Sequence, residues 1–221
     1  MDTQFKDRRE AGRKLGARLD SWAGLHPVVI GLTRGGVPVA AEVAARLGAD
    51  LDALVACRLG SRGDPEVAIG AIAEGGTVWL ESGNEHPSDC SWMRGEIKKQ
   101  ETELRRRVAL IRPALAPLSV ASRVVILVDD GVATGATLSA AVLAVRVRGA
   151  SSVIVAAPVA SRDAASGLAE RADAAVFLMV PERFEAVGRF YGEFPEVSDE
   201  EMLRCLKVYR RTEPAGALPQ A

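Results

Sequence analysis

Val124-Val125-Ile126-Leu127-Val128-Asp129-Asp130-Gly131-Val132-Ala133-Thr134-Gly135-Ala136-Thr137 is the stretch on which the reading of this chain turns. Val124 to Val128 is an unbroken apolar run rich in β-branched residues, which predicts a strand buried on both faces, as in a parallel sheet. Two acids follow where the strand surfaces. Small and hydroxylated residues then lead into an amphipathic helix. Small residues let backbone N–H groups approach an anion, the helix N-terminus favours negative charge, and Thr134 and Thr137 add hydroxyl donors. Asp129 and Asp130 repel a phosphate but suit hydroxyl groups or a hydrated Mg²⁺. The ligand implied carries an anion at one end and a diol at the other, which is a sugar phosphate. The plainer reading, a βα turn with a surface acid pair, accounts poorly for two adjacent acids followed by Ala-Thr-Gly-Ala-Thr. No Gly-Lys-Ser/Thr closes the loop, so it is not a nucleotide-binding P-loop.

Upstream, Val28 to Leu32 predicts another short buried strand, ending in Thr33-Arg34-Gly35-Gly36-Val37-Pro38. Two glycines permit close approach of N–H groups to an anion, and Arg34 supplies a planar multi-donor cation. Alone, Arg-Gly-Gly reads as a turn; at a strand end in an α/β unit it gains meaning. The following helix carries Val39, Ala40, Val43 and Leu47 on one face and stops at Gly48. Leu51 to Cys57 predicts the next strand, with Arg58-Leu59-Gly60 closing it and opening a loop. Pro65 to Leu80 predicts two short strands joined at Glu74-Gly75-Gly76, and a polar stretch runs from Glu81 to Ser91.

Trp92 to Ile111 predicts a charged helix in which Arg105, Arg106 and Arg107 form a solvated, salt-bridged face rather than a nucleic-acid patch. Beyond the central motif come a helix with Leu138, Ala141, Val142 and Val145 on one face, a strand at Val153 to Ala157, and a helix at Arg162 to Ala172 capped by Ser161. A last strand spans Ala174 to Val180. Before them all, Phe5 to Asp20 predicts a helix, weakened by Gly12 and Gly16. This order predicts a doubly wound, mainly parallel sheet with both chemical loops at the carboxyl ends of their strands. Pro181 to Pro195 concentrates aromatics, either a satellite core or a wall against which a flat base stacks, and Ser198 with Glu201 predicts a capped helix carrying Met202, Leu206 and Tyr209. From Thr212 the tail reads as disordered.

The 221 residues are 48% hydrophobic and 26% charged with net charge −1, enough for one domain with a large core. No apolar run suits a membrane span, and the N-terminus lacks the apolar segment of a signal peptide, so the cytoplasm is expected. Cys57, Cys90 and Cys205 offer neither a disulfide framework nor a zinc spacing, and His26 and His86 stand far apart. The near-zero charge gives no drive toward nucleic acid.

The central stretch resembles the phosphoribosyl-pyrophosphate (PRPP) motif of type I phosphoribosyltransferases. The Arg-Gly-Gly loop, Pro65 to Ala71 and Phe184 to Tyr191 are similar to an uncharacterised bacterial group within that superfamily. The resemblance implies a five-stranded parallel core (about 26–180) with a hood from the chain ends (1–25 and 181–211). It implies transfer of phosphoribosyl from PRPP to a nitrogenous acceptor, a nucleobase or related heterocycle, with Mg²⁺ and release of pyrophosphate. The acids would hold the ribose hydroxyls and, through them or through water, the metal. Ala133, Thr134, Gly135, Ala136 and Thr137 would hold the 5′-phosphate. Thr33, Arg34, Gly35 and Gly36 would form the pyrophosphate loop, which in the family often carries a cis peptide that does not precede proline. Arg34 and Arg58 would stabilise the leaving group, Glu66 and Glu74 are acid/base candidates, and Phe184, Phe190 and Tyr191 are candidates for stacking on the acceptor. Within Arg58 to Ser91, the polar stretch Glu81 to Ser91 would be part of the closing loop, the alternative being a plain surface hairpin. Ala133 stands where 6-oxopurine enzymes of the family carry an aspartate, so that base is missing here. The expected partners are PRPP, an acceptor and a second copy of the chain in a homodimer, with no membrane or nucleic acid. The alternative is a regulator that senses PRPP or a nucleotide without catalysis.

Overall fold

In the computed structural model the described residues are 5–64, 67–81 and 90–209. Glu66, positions 82–89 of the predicted closing loop and the tail from Thr212 lie outside them.

Five parallel strands carry the fold: β1 (Val28–Leu32), β2 (Asp50–Leu54), β6 (Val124–Val128), β7 (Ser152–Val159) and β8 (Ala174–Met179), side by side in the order β2-β1-β6-β7-β8. Every residue of β1 is buried, as the uninterrupted apolar run predicts for a strand covered on both faces. Alternate residues feed two separate cores. Val29, Leu51, Ile126 and Ile154 join one, with α1 (Arg8–Arg18), α2 (Gly36–Leu47) and α6 (Asp199–Tyr209). Val28, Ile30, Val125, Leu127, Val153 and Val155 join the other, with α4 (Ala136–Val147) and α5 (Arg162–Arg171). The sheet is thus a middle layer between helices.

Helix α1 lies on α2. A Cβ at Gly12 would sit 2.7 Å from the Val39 carbonyl, so the glycine that weakens the helix in isolation permits this close packing. The predicted caps form: the Ser161 hydroxyl accepts from the Ala164 amide at 3.1 Å, and the Ser198 hydroxyl accepts from the Glu201 amide at 3.1 Å.

The expected strand from Leu51 to Cys57 is two strands. Pairing with β1 ends at Leu54, and β3 (Ala56–Gly60) joins β4 (Ala68–Ala73) and β5 (Thr77–Leu80) in a separate antiparallel sheet. Arg58 to Gly60, expected to open a loop, therefore lies in a strand. The change of sheet is hidden in the sequence because both strands are buried, so the apolar run continues through Val55. That residue's carbonyl accepts from the Glu74 amide at 2.8 Å, fixing the second sheet to the end of the first.

A buried ion cluster reinforces this junction. Arg112, just past α3 (Cys90–Ile111), donates to Glu74 at 2.6 and 2.8 Å and to Asp52 at 3.0 Å. It also donates to the Ala53 carbonyl at 2.7 Å. Asp52 is 2% exposed and accepts from the Leu118 amide as well. Removing the cation leaves two enclosed carboxylates uncompensated, which typically costs about 3–5 kcal/mol. Arg112→Met should lower the urea midpoint by that equivalent with an unchanged slope; a midpoint within error of the wild type would show that the cluster contributes nothing net.

Candidate functional site

Because β1 and β6 are neighbours in parallel register, the loops that leave their carboxyl ends lie side by side. The β1 loop contains a cis peptide between Thr33 and Arg34 and runs into α2, whose first turn has no side-chain cap. The β6 loop begins with Asp129 and Asp130 and runs into α4, also without a side-chain cap. The two loops interlock. A Cβ on Gly35 would meet Asp130 Oδ2 at 2.0 Å, and one on Gly36 would meet the Val128 carbonyl at 2.6 Å and Asp129 Oδ1 at 3.1 Å. Only glycine admits the acid pair at this distance. Burial pushes both carboxyls above the usual range, and Asp129 is pushed further by Asp130. The guanidinium of Arg8 acts against burial at Asp130, donating from Nε to Oδ2 at 2.8 Å.

Asp129 faces a cavity of about 500 Å³. Ala133, Thr134, Gly135 and Thr137 line it from the β6 loop, where the start of α4 gives it an anion-binding end; within that turn the Ala136 amide donates to Thr134 Oγ1 at 3.4 Å. The Ser161 hydroxyl donates to the Ala133 carbonyl at 2.6 Å and braces this loop. Ala136 is buried in the first turn of α4 and does not line the cavity. Thr33, Arg58, and from α3 Glu96, Lys99, Gln100 and Arg107 form other walls. Thr33 Oγ1 is buried without a hydrogen-bond partner among the described residues.

Asp130 faces a second cavity, of about 410 Å³, lined also by Arg8, Arg34, Gly35, Arg107, Phe194 and Glu196. Arg34 pairs with Glu196 and lies 3.6 Å from Asp199. The chain ends are joined directly beneath. The Phe5 amide donates to the Phe190 carbonyl, and the amides of Gly192 and Glu193 donate to the carbonyls of Phe5 and Lys6. Tyr191, buried between Phe5 and Phe194, donates its hydroxyl to the Asp130 carbonyl at 2.5 Å; burial raises its phenol well above the ordinary value.

Glu74, expected as an acid/base group, is held by Arg112 and lines neither cavity, so the structure does not bring it to the site. Glu66 lies outside the described residues. Phe184 and Phe190 stack on each other at 5.6 Å and line neither cavity, and Tyr191 presents its hydroxyl to the backbone rather than a ring face to open space. Phe194 is the ring that lines a cavity, and Arg8 covers it at 3.7 Å.

Arg105 and Arg106 do form the expected salt-bridged face, with Glu101 and Glu103. Arg107 also binds Glu103, whose carboxyl Arg106 and Arg107 hold down to about 2, yet it reaches both cavities. Arg8, Glu96, Lys99, Gln100, Arg107 and Glu196 line the two cavities without being expected there from the sequence. Only Arg8 left a signal: in the helical spacing it shares a face with the apolar Ala11, Leu15 and Leu19, a charge on an apolar stripe.

No group of three or more His, Cys, Asp and Glu side chains converges among the described residues. The two carboxylates fit a Mg²⁺ that keeps its waters and takes further oxygens from a phosphate ligand. No helix among the described residues is long and apolar enough to cross a membrane.

The chain matches the family model of the phosphoribosyl transferase domain over residues 5–190. It is 41% identical over 220 residues to the "Putative phosphoribosyl transferase MT0597" of Mycobacterium tuberculosis strain CDC 1551. The same identity holds for "Putative phosphoribosyl transferase Rv0571c" of strain H37Rv. These alignments cover 98% of this chain and 50% of each relative, so the chain spans about half the length of the curated relatives it matches. The crystal structure of TT1426 from Thermus thermophilus superposes with a TM-score of 0.82 at 43% identity, covering 94% of this chain and 100% of that one. With the parallel five-stranded core and the match over most of its length, the chain belongs to the phosphoribosyl transferase domain family.

Proposed function

We propose that the chain transfers the phosphoribosyl group of PRPP to a ring nitrogen of a nucleobase or related heterocycle, with release of pyrophosphate. One observation carries the reading. The acid pair rests against the Arg34-Gly35-Gly36 loop, with Asp129 on the 500 Å³ cavity that the loop before α4 also lines and Asp130 on the neighbouring cavity that Arg34 and Gly35 line. A diol held at the acids then has a pyrophosphate loop on one side and a 5′-phosphate loop on the other.

In this reading the bond from C1 to the pyrophosphate oxygen breaks as a C1–N bond forms, and the leaving oxygens gain charge. The amides of the β1 loop and Arg34, with Arg107, would in this reading meet that charge, and Arg58 and Lys99 would approach it from the neighbouring cavity; preorganised donors of this kind act chiefly on the transition state. A bound Mg²⁺ would supply further charge stabilisation to the pyrophosphate. The 5′-phosphate grip, remote from C1, fixes the ribose in place. The chain ends, which we assign to the acceptor side, close over Asp130.

Ribose 5-phosphate with Mg²⁺ should stabilise the protein, by about 2.7 kcal/mol at 100 times its dissociation constant. Asp129→Asn should remove that response and yet stabilise the ligand-free protein. The Asp129 carboxyl is raised in the folded chain, so the unfolded chain holds fewer protons above the ordinary carboxylate value of about 3.9. Stability is therefore lost as pH rises through that window. Melting curves should show the Asn variant gaining at pH 7.5 and little changed near pH 4; a variant less stable than wild type at pH 7.5 would contradict the electrostatic account.

Arg34→Ala should slow pyrophosphate release by on the order of 10²–10³. Glu196→Gln should tighten pyrophosphate binding by up to about fivefold, because an exposed pair such as Arg34–Glu196 holds its cation with roughly 0.2–1 kcal/mol. Isothermal titration and single-turnover release across a panel of nitrogen bases measure both. Tight PRPP binding with no release from any base, and a macromolecular partner that responds to PRPP, would favour a sensor instead.

A further inference from the structure

We propose that Arg8 is the positioning residue that sets which face of the acid pair meets the ligand's diol, an inference that rests on reading the site as a ribose-phosphate site. Arg8 is 9% exposed, at the start of α1, more than a hundred residues from the motif it touches. Three contacts fix its guanidinium at once. Nε donates to Asp130 Oδ2 at 2.8 Å, Nη1 donates to the Pro195 carbonyl at 2.6 Å, and Cζ lies 3.7 Å from the centroid of the Phe194 ring.

This division of labour gives the acid an orientation. Oδ2 is turned toward Arg8 and into the space above Gly35, so Oδ1 is the oxygen left to receive a hydroxyl. Asp129 is fixed differently, by accepting the Asp130 amide at 2.9 Å through its own Oδ1. Without Arg8 the Asp130 carboxylate would lie beside Asp129 without the cation that now bonds Oδ2. A lysine keeps the charge but offers no planar fork to stack on Phe194 while bonding two acceptors. The Pro195 contact also links this acid to the segment that carries Glu196, the partner of Arg34.

The test uses the full chain with Mg²⁺ and compares two probes, ribose 5-phosphate and inorganic phosphate, in wild type, Arg8→Met and Arg8→Lys. Met retains most of the stem on Phe194 and removes the charge. Arg8→Met should weaken ribose 5-phosphate by about 10–100-fold, the range for a lost charged hydrogen bond, while inorganic phosphate binding at the α4 loop stays within about twofold. Arg8→Lys should recover part of the loss. Should Arg8→Met not fold, Arg8→Lys alone should show a several-fold loss confined to ribose 5-phosphate.

Parallel weakening of both probes would reduce Arg8 to a structural residue and overturn the inference. So would tighter ribose 5-phosphate binding in Arg8→Met, which would make Arg8 a competitor of the ligand. Wild-type protein that binds inorganic phosphate but not ribose 5-phosphate overturns the reading of the site, and this inference falls with it. Wild-type binding of the sugar phosphate that the variants match overturns the inference alone.

Discussion

The carboxylate of Asp130 occupies the space where Gly35 lacks a side chain, beside a second carboxylate, and much of the structure follows from tolerating that arrangement. Two like charges about 4 Å apart repel by roughly 4 kcal/mol at an effective dielectric of 20, and a guanidinium at hydrogen-bond distance offsets a similar amount. The cation must therefore arrive close and stay. Arg8 does so because α1 is held on α2, and α2 begins at the glycine loop itself. The glycines of α1 allow the two helices to approach, so a feature that weakens a helix alone places a charge in the site. Tyr191 completes the arrangement from the other chain end by satisfying the Asp130 carbonyl.

The second sheet answers a different need. Strand β3 leaves the parallel sheet at Val55 and carries Arg58 to one side of the cavity, while α3 returns across the top with Lys99, Gln100 and Arg107. These walls are anchored far from the chemistry, where Arg112 ties β2, the β4–β5 turn and the end of α3 into one cluster. Glu74 belongs to that anchor. Its place in the Glu74-Gly75-Gly76 loop makes it an acid/base candidate by sequence, whereas its partner lies 38 residues away in sequence, beyond the reach of local pattern.

What could be read from sequence divides along the same line. The parallel core was legible because burial on both faces writes itself as continuous apolar runs, and β1, β6, β7 and β8 fall within a few residues of their predicted bounds. The acid pair and both loops were legible because their chemistry is local. The change of sheet at Val55 was not, since a strand passing between two buried sheets shows no polar break. Arg107 was hidden among two other arginines that only face solvent. Of the two readings of the aromatic cluster, the geometry matches the satellite core: its rings pack on one another and against the chain ends, and Phe194 is the ring among them that lines a cavity.

The chain ends touch the site through two ion pairs of opposite polarity, and their burial separates their behaviour. Arg8–Asp130 has side chains 10% and 14% exposed, so opening it would leave enclosed charge on both sides. Glu196, in contrast, is 81% exposed and holds Arg34 near the surface, where water replaces either partner at small cost. In the proposed reading, a ligand anion at the β1 loop would therefore meet a cation that can exchange partners, while a hydroxyl at the acids would meet a carboxylate whose partner is fixed. The same segment, Phe194 to Val197, borders both pairs. Exchange at Arg34 can thus be felt by the backbone that Arg8 grips at Pro195 without breaking the contact that orients Asp130, which is the physical condition for chain ends to move during binding while the acid pair stays in register.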